Sequence, residues 1–280
     1  MNSTVLEQTN TKDFVRIGLL APLKFAAILG LILTFIVMNS LVCLAVHNRE
    51  MRLKLTSFII SQVSKIALAV LGLKVRVEGK LARFSPQLLV SNHLSYLDVL
   101  VISAYFPSLF ITSVEIKEYP GLGFLARFGG CLFVERRSKA FIGSEVKEIK
   151  EALEHGHNVV IFPEATSTDG QSVLPFKNSL FSAVEGWSIR VQPICLQFTE
   201  VDGVKIDSAC STSVRDIVHW YGDMKFCSHL MNLCSMREVK LDLTLLEGYN
   251  EIPTLNRKEL AVHAYELISQ HYNGTLGSRG

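Results

Sequence analysis

Leu88-Leu-Val-Ser-Asn-His-Leu-Ser-Tyr-Leu-Asp98 reads as a short buried strand, a polar exit and the start of a helix. The apolar run of the strand is uninterrupted, as expected of a strand covered on both faces. The imidazole of His93 leaves the strand end five residues before the carboxylate of Asp98. A loop can close that separation back on itself. A carboxylate in reach of an imidazole fixes its tautomer and stabilises the imidazolium, as a general base requires. Ser95 and Asp98 also fit a helix start, with Asp98 as a capping-box residue and His93 as an ordinary loop residue.

The same pattern continues outward from this stretch. Strands are predicted over 74–78, 87–91, 108–113, 130–134, 158–162, 190–198 and 238–246. Helices are predicted over 96–105, 140–155, 175–184 and 255–269, with Gly156 as a C-cap. The alternation predicts an α/β fold with a mixed, mostly parallel sheet flanked by helices. The region 202–237 is less regular, and a disordered tail is expected over 273–280.

Upstream, the chain changes character. No charged residue occurs from Phe25 to Val46, a stretch of about 33 Å as a helix, close to the thickness of a bilayer core. Lys12, Arg16 and Lys24 precede it and Arg49, Arg52 and Lys54 follow, so flanking charge sets no orientation. The stretch 55–73 is apolar but interrupted by Gln62, Ser64 and Lys65. It suits an interfacial helix or half of a hairpin dipping into one leaflet. Residues 1–73 are therefore read as membrane-anchoring helices and 74–272 as the catalytic domain. The chain is 49% hydrophobic with a net charge of only +2, so no basic field points to nucleic acid. The six cysteines form no CxxC pair, and Cys227, His229 and Cys234 lack a fourth ligand at metal spacing. Free thiols in a reducing compartment are the better reading.

Two further clusters follow strand ends. Gly129-Gly-Cys-Leu-Phe-Val-Glu-Arg-Arg137 ends in a planar guanidinium suited to phosphate at Arg136, although a solvated basic turn reads the same way. Val159-Val-Ile-Phe-Pro-Glu-Ala-Thr-Ser-Thr-Asp-Gly170 places an acid and hydroxyls after a buried strand. Ligands of α/β sheets bind at such ends, while Asp169-Gly170 also suits a plain turn.

Together these clusters resemble the glycerolipid acyltransferase family of the lysophosphatidic acid acyltransferase type, with lyso-ornithine lipid acyltransferases as close relatives. Asn92, His93 and Asp98 match its Asn-His-x4-Asp motif, and Gly130, Phe133 and Arg136 its Gly-x-x-Phe-x-x-Arg motif. Phe162, Pro163, Glu164 and Thr166 match most of Phe-Pro-Glu-Gly-Thr-Arg, and Val191-Gln-Pro-Ile-Cys-Leu196 matches a fourth motif. The resemblance covers roughly residues 74–199 in order and spacing.

It implies His93 as general base and Asp98 as its orienter. The substrate would be bound through Asn92, Gly130, Phe133, Arg136, Glu164 and Thr166. A lysolipid hydroxyl would attack the thioester of acyl-CoA or acyl carrier protein directly, with no metal and no cofactor. The expected reaction converts 1-acyl-glycerol-3-phosphate to phosphatidic acid in phospholipid biosynthesis. The alternative acceptor is lyso-ornithine lipid or another lysolipid. The implied location is the bacterial inner membrane, with the catalytic domain facing the cytoplasm. Two departures bear on the acceptor: Ala165 stands at the family glycine and Ser167 at the family arginine. The string Thr166-Ser-Thr-Asp-Gly170 and the later Trp220-Tyr-Gly-Asp-Met224 resemble the lyso-ornithine lipid enzymes, whose acceptor carries no phosphate.

Overall fold

The computed structural model describes residues 11–80, 86–119, 121–134, 142–207, 209–249 and 255–277. Two long helices open the chain, α1 (Thr11–Ala45) and α2 (Arg49–Leu71). The α/β part follows as β1 (Leu73–Glu78), β2 (Gln87–Ser91), α3 (Leu97–Tyr105), β3 (Ser108–Ser113), α4 (Leu122–Phe128) and β4 (Leu132–Val134). It continues through α5 (Ile142–Glu154), β5 (Asn158–Ile161), β6 (Arg190–Val201), β7 (Val204–Lys205) and α6 (Thr212–Val218). The last elements are α7 (Phe226–Ser235), β8 (Val239–Leu245) and α8 (Arg257–Gly277).

One mixed sheet runs in the order β1-β8-β6-β2-β5-β3-β4, with β7 beside β6. The strands from β6 to β4 are parallel. β8 pairs antiparallel to β6, and β1 parallel to β8. Leu88, Leu89 and Val90 are fully buried, as a central parallel strand requires. Leu89, Val160 and Phe110 join one core with Leu71, Val101 and Leu233 of α2, α3 and α7. Leu88, Val90 and Ile161 join a second core with Ile149 and Leu153 of α5 and Leu260 and Ile268 of α8. From neighbouring β2 and β5 the chain departs to opposite faces. α3 packs into the first core, while Phe181 and Val184 pack into the second. The carboxyl ends of parallel strands that diverge in this way are where α/β sheets place ligands.

The N-terminal helices form a hairpin laid against the domain. Asn48 caps α2 by accepting from the Met51 N–H at 2.8 Å. Along α2, Glu50 meets His157 at 3.0 Å, and the Ser61 hydroxyl donates to the Ala104 carbonyl at 3.4 Å. On α1, Lys24 Nζ donates to the carbonyls of Leu71 (2.9 Å) and Met236 (2.7 Å). These are open carbonyls at the ends of α2 and α7, so the lysine closes two helix C-termini at once. Asn39, buried on α1, donates to the Phe128 carbonyl at 2.6 Å and accepts from Thr56 at 2.6 Å. Both helices are long and apolar enough to cross a membrane. Leu29, Leu33, Val37, Leu41 and Leu44 of α1, Phe58 and Ile66 of α2 and Phe124 of α4 remain exposed. Exposed apolar side chains along two helices of this length mark membrane association.

Two sequence expectations change. The helix expected over 175–184 is only a tight turn over Ser179–Ala183. The backbone ahead of it is committed elsewhere: the Leu174 N–H donates to Glu164 and the Lys177 N–H to the Pro163 carbonyl. The expected disorder after residue 272 is replaced, as far as Gly277, by continuation of α8. Tyr272 and Leu276 are buried there, and Thr275 Oγ1 donates to the Gln197 side chain at 2.6 Å.

Replacing Lys24 with Met strands two helix-terminal carbonyls. The expected cost is about 2 kcal/mol of stability. It should appear as a lower unfolding midpoint in detergent and faster proteolytic nicking of α1. An unchanged midpoint would show that the two bonds carry no weight.

Candidate active site

His93 and Asp98 meet directly. Nδ1 of His93 lies 2.7 Å from Asp98 Oδ2, and the same oxygen accepts from the N–H groups of Leu94 (2.6 Å) and Ser95 (2.9 Å). Asp98 is fully buried, whereas the His93 side chain keeps 22% of its surface exposed. A buried carboxylate that accepts at Nδ1 leaves Nε2 as the imidazole's proton acceptor. Both sequence readings of Asp98 are realised at once, since it holds the helix entry and orients the ring. Ser95 does not return the capping bond, and its buried hydroxyl has no partner among the described residues.

The loop's backbone is held from several elements. Glu164 follows β5; its Oε1 accepts from the His93 N–H at 2.7 Å and its Oε2 from the Leu174 N–H at 2.7 Å. The His93 carbonyl accepts from the N–H (3.0 Å) and hydroxyl (3.3 Å) of Thr168. The Leu94 carbonyl accepts from the Trp220 N–H at 3.0 Å. Phe162 stacks on the imidazole at 4.2 Å between centroids, with 18° between planes. Burial pushes the Glu164 carboxyl up to about 7, and the two backbone donors offset this only in part. Burial also holds His219 down at about 4, so it is neutral beneath the loop.

The other expected residues divide. Asn92 is fully buried and its amide is used within the sheet. It donates to the Leu196 carbonyl at 2.9 Å and accepts from the Leu196 N–H at 2.8 Å, extending the β2–β6 ladder by one side chain. Gly130 has φ 76°, and a Cβ there would meet Leu53 of α2 at 2.9 Å. Its glycine therefore answers to the hairpin packing and the left-handed turn. Phe133, three strands from His93, lies under the Lys117 ammonium at 4.6 Å. Thr166 is exposed, with its hydroxyl on the Ser167 carbonyl. Arg136 lies outside the described residues.

Ala165 has φ 63°, which explains the family glycine there by backbone conformation. The sequence reading quoted Thr168 and Trp220 within longer strings but gave neither a role at the His93 loop. Both act on backbone atoms, which leaves no signature in motif spacing.

With this geometry in place, the chain can be compared with known proteins. The Acyltransferase family model matches residues 73–197. A lyso-ornithine lipid O-acyltransferase from Rhizobium meliloti is 33% identical over 222 residues, covering 77% of this chain and 73% of that protein. The chain belongs to the Acyltransferase family. A 1-acyl-sn-glycerol-3-phosphate acyltransferase from Neisseria gonorrhoeae is 36% identical over 143 residues, 50% of this chain and 56% of that one. The fold is shared with the 1-acyl-sn-glycerophosphate (LPA) acyltransferase PlsC from Thermotoga maritima, at TM-score 0.66 and 19% identity. That alignment covers 94% of this chain and 97% of that one. The protein is thus a membrane-associated acyltransferase.

The raised Glu164 value gives the acyltransferase a pH-dependent stability. The folded group sits near 7 against 4.5 ordinarily, so the folded protein binds the extra proton between those values. Its contribution is complete below pH 4.5 and lost as pH rises through about 7. Glu164→Gln cannot titrate. Between pH 5 and pH 8, the unfolding midpoint of wild type should fall relative to that of the variant; parallel curves would contradict the assignment.

Proposed function

We propose that the protein is a lyso-ornithine lipid O-acyltransferase, taking its acyl group from acyl-CoA or acyl carrier protein. The observation that carries this is the reach of the alignments. The lyso-ornithine lipid relative aligns over 222 residues, well beyond the family core, and the glycerol-phosphate relative over 143. The side chain at 167 supports it, since Ser167 offers no charge where the family pattern has an arginine. The competing acceptor is 1-acyl-glycerol-3-phosphate, giving phosphatidic acid, with Arg136 as the remaining motif cation.

In this reading His93 Nε2 takes the acceptor hydroxyl's proton as its oxygen attacks the thioester carbonyl. Asp98 stabilises the imidazolium that forms. The tetrahedral intermediate collapses by breaking the C–S bond, and the leaving thiolate takes the proton back from Nε2. No acyl-enzyme forms. A placed base contributes roughly 10²–10⁴-fold, and holding the two substrates together supplies much of the rest. Glu164 acts through the His93 backbone.

The hairpin favours access from the bilayer. α1 is bonded to domain elements at both Lys24 and Asn39, about 22 Å apart along the helix. A helix so attached lies beside the catalytic domain, which suits an anchor in one leaflet. The domain then faces the cytoplasm of a bacterial inner membrane, where thioester donors are made.

The test is an acceptor panel with one thioester donor, with products read by mass spectrometry. Lyso-ornithine lipid should be acylated faster than 1-acyl-glycerol-3-phosphate, and Ser167→Arg should raise turnover of the phosphate acceptor selectively. Fast turnover of the phosphate acceptor with none of lyso-ornithine lipid would falsify the acceptor assignment. His93→Ala should lower kcat by at least about a hundredfold on every acceptor.

A further inference from the structure

Arg215 lies on α6, beyond the residues matched by the family model, and is 96% buried by its 4% exposure. A buried guanidinium normally has a carboxylate partner. Among the described residues, this one is held instead by three backbone carbonyls. Its Nε donates to Cys210 at 3.5 Å, one terminal nitrogen to Asp207, and the other to Gly170 at 3.2 Å. The first two partners are local and would suffice to fasten α6. The third reaches across 45 positions to the loop after β5.

Gly170 is a junction. Its carbonyl also accepts from the Tyr272 hydroxyl of α8 at 2.7 Å, and its N–H donates to Thr168 Oγ1 at 3.4 Å. Thr168 in turn donates twice to the His93 carbonyl. Gly170 has φ 71°, and a Cβ on it would collide with the His219 ring. His219 accepts no charge at neutral pH and its Nδ1 contacts the Arg215 carbonyl at 2.9 Å. The next residue, Trp220, donates to the Leu94 carbonyl. The α6 end therefore reaches the base loop by two routes, through Gly170–Thr168 to His93 and through Trp220 to Leu94.

We infer that Arg215, with Tyr272, is a positioning residue for the catalytic base: together they fix the Gly170 carbonyl, and through Thr168 they fix where His93 Nε2 points. A displacement of about 1 Å at a reacting atom can cost on the order of a hundredfold in rate. Both side chains are buried, so loss of either should lower kcat without weakening acceptor binding.

The experiment uses the full-length enzyme in detergent with a saturating thioester donor and the lysolipid that wild type acylates fastest. Its outcome does not depend on which lysolipid that is. Arg215→Met should lower kcat at least about tenfold with the acceptor KM within about twofold. Arg215→Lys keeps a charged donor and should recover part of the loss. Tyr272→Phe should lower kcat by a few fold. Because both donors hold one carbonyl, Arg215→Lys combined with Tyr272→Phe should lose more than the product of the single effects. Should the Met variant fail to fold, the Lys and Phe variants and their double decide. The inference is overturned if folded Arg215 variants keep wild-type kcat. It is equally overturned if the loss appears as a matching rise in KM, or if Tyr272→Phe is silent and the double merely multiplies.

Discussion

One buried oxygen, Oδ2 of Asp98, organises the catalytic end of the molecule. It gathers the imidazole N–H of His93 and the backbone N–H groups of Leu94 and Ser95. Relaxing the loop would leave a buried carboxylate without its donors, which costs several kcal/mol. The turn that makes the loop and the pairing that defines the base are therefore the same interaction. The remaining polar atoms of His93 and Leu94 are satisfied from outside, by Glu164, Thr168 and Trp220. His93 is thus held by bonds from several elements, and the proposed base function falls to its Nε2. Such preorganisation suits a direct transfer, in which rate depends on alignment of two bound substrates.

The same constraint ties the site to the membrane. α3 begins at Leu97, next to Asp98, and shares a core with α2 through Val101, Leu68 and Leu71. α2 is fastened to α1 and α7 through Lys24 and rests on Gly130 through Leu53. The apolar hairpin is therefore part of the domain's packing. Under the proposed function, a lysolipid acceptor would then reach His93 without transfer of its acyl chain through water.

Much of this was legible in the sequence, for identifiable reasons. β2 and β5 are buried on both faces, so their apolar runs are continuous and bounded as expected. The His93–Asp98 pair closes within five residues, so spacing alone suggested it. Legibility failed where distant backbone takes over. The 175–184 segment had helical spacing, but its N–H groups serve Glu164 and Pro163. The chain was expected to be disordered from 273, yet Leu276 is buried and Thr275 donates to the Gln197 side chain. Thr168 and Arg215 act on carbonyls far away in sequence, which no residue type announces. Ala165 looked like a departure affecting ligand approach, and its φ of 63° shows that the position is conformational first.

The most direct measurement is single-turnover acyl transfer by Asp98→Asn. The amide oxygen can replace Oδ2 and still accept from Leu94, Ser95 and His93 Nδ1, but it brings no negative charge to stabilise the imidazolium. With folding verified, the rate of transfer should fall by at least about a hundredfold while acceptor affinity holds. A folded Asp98→Asn enzyme within a few fold of the wild-type rate would contradict the role of His93 as a base oriented by this carboxylate.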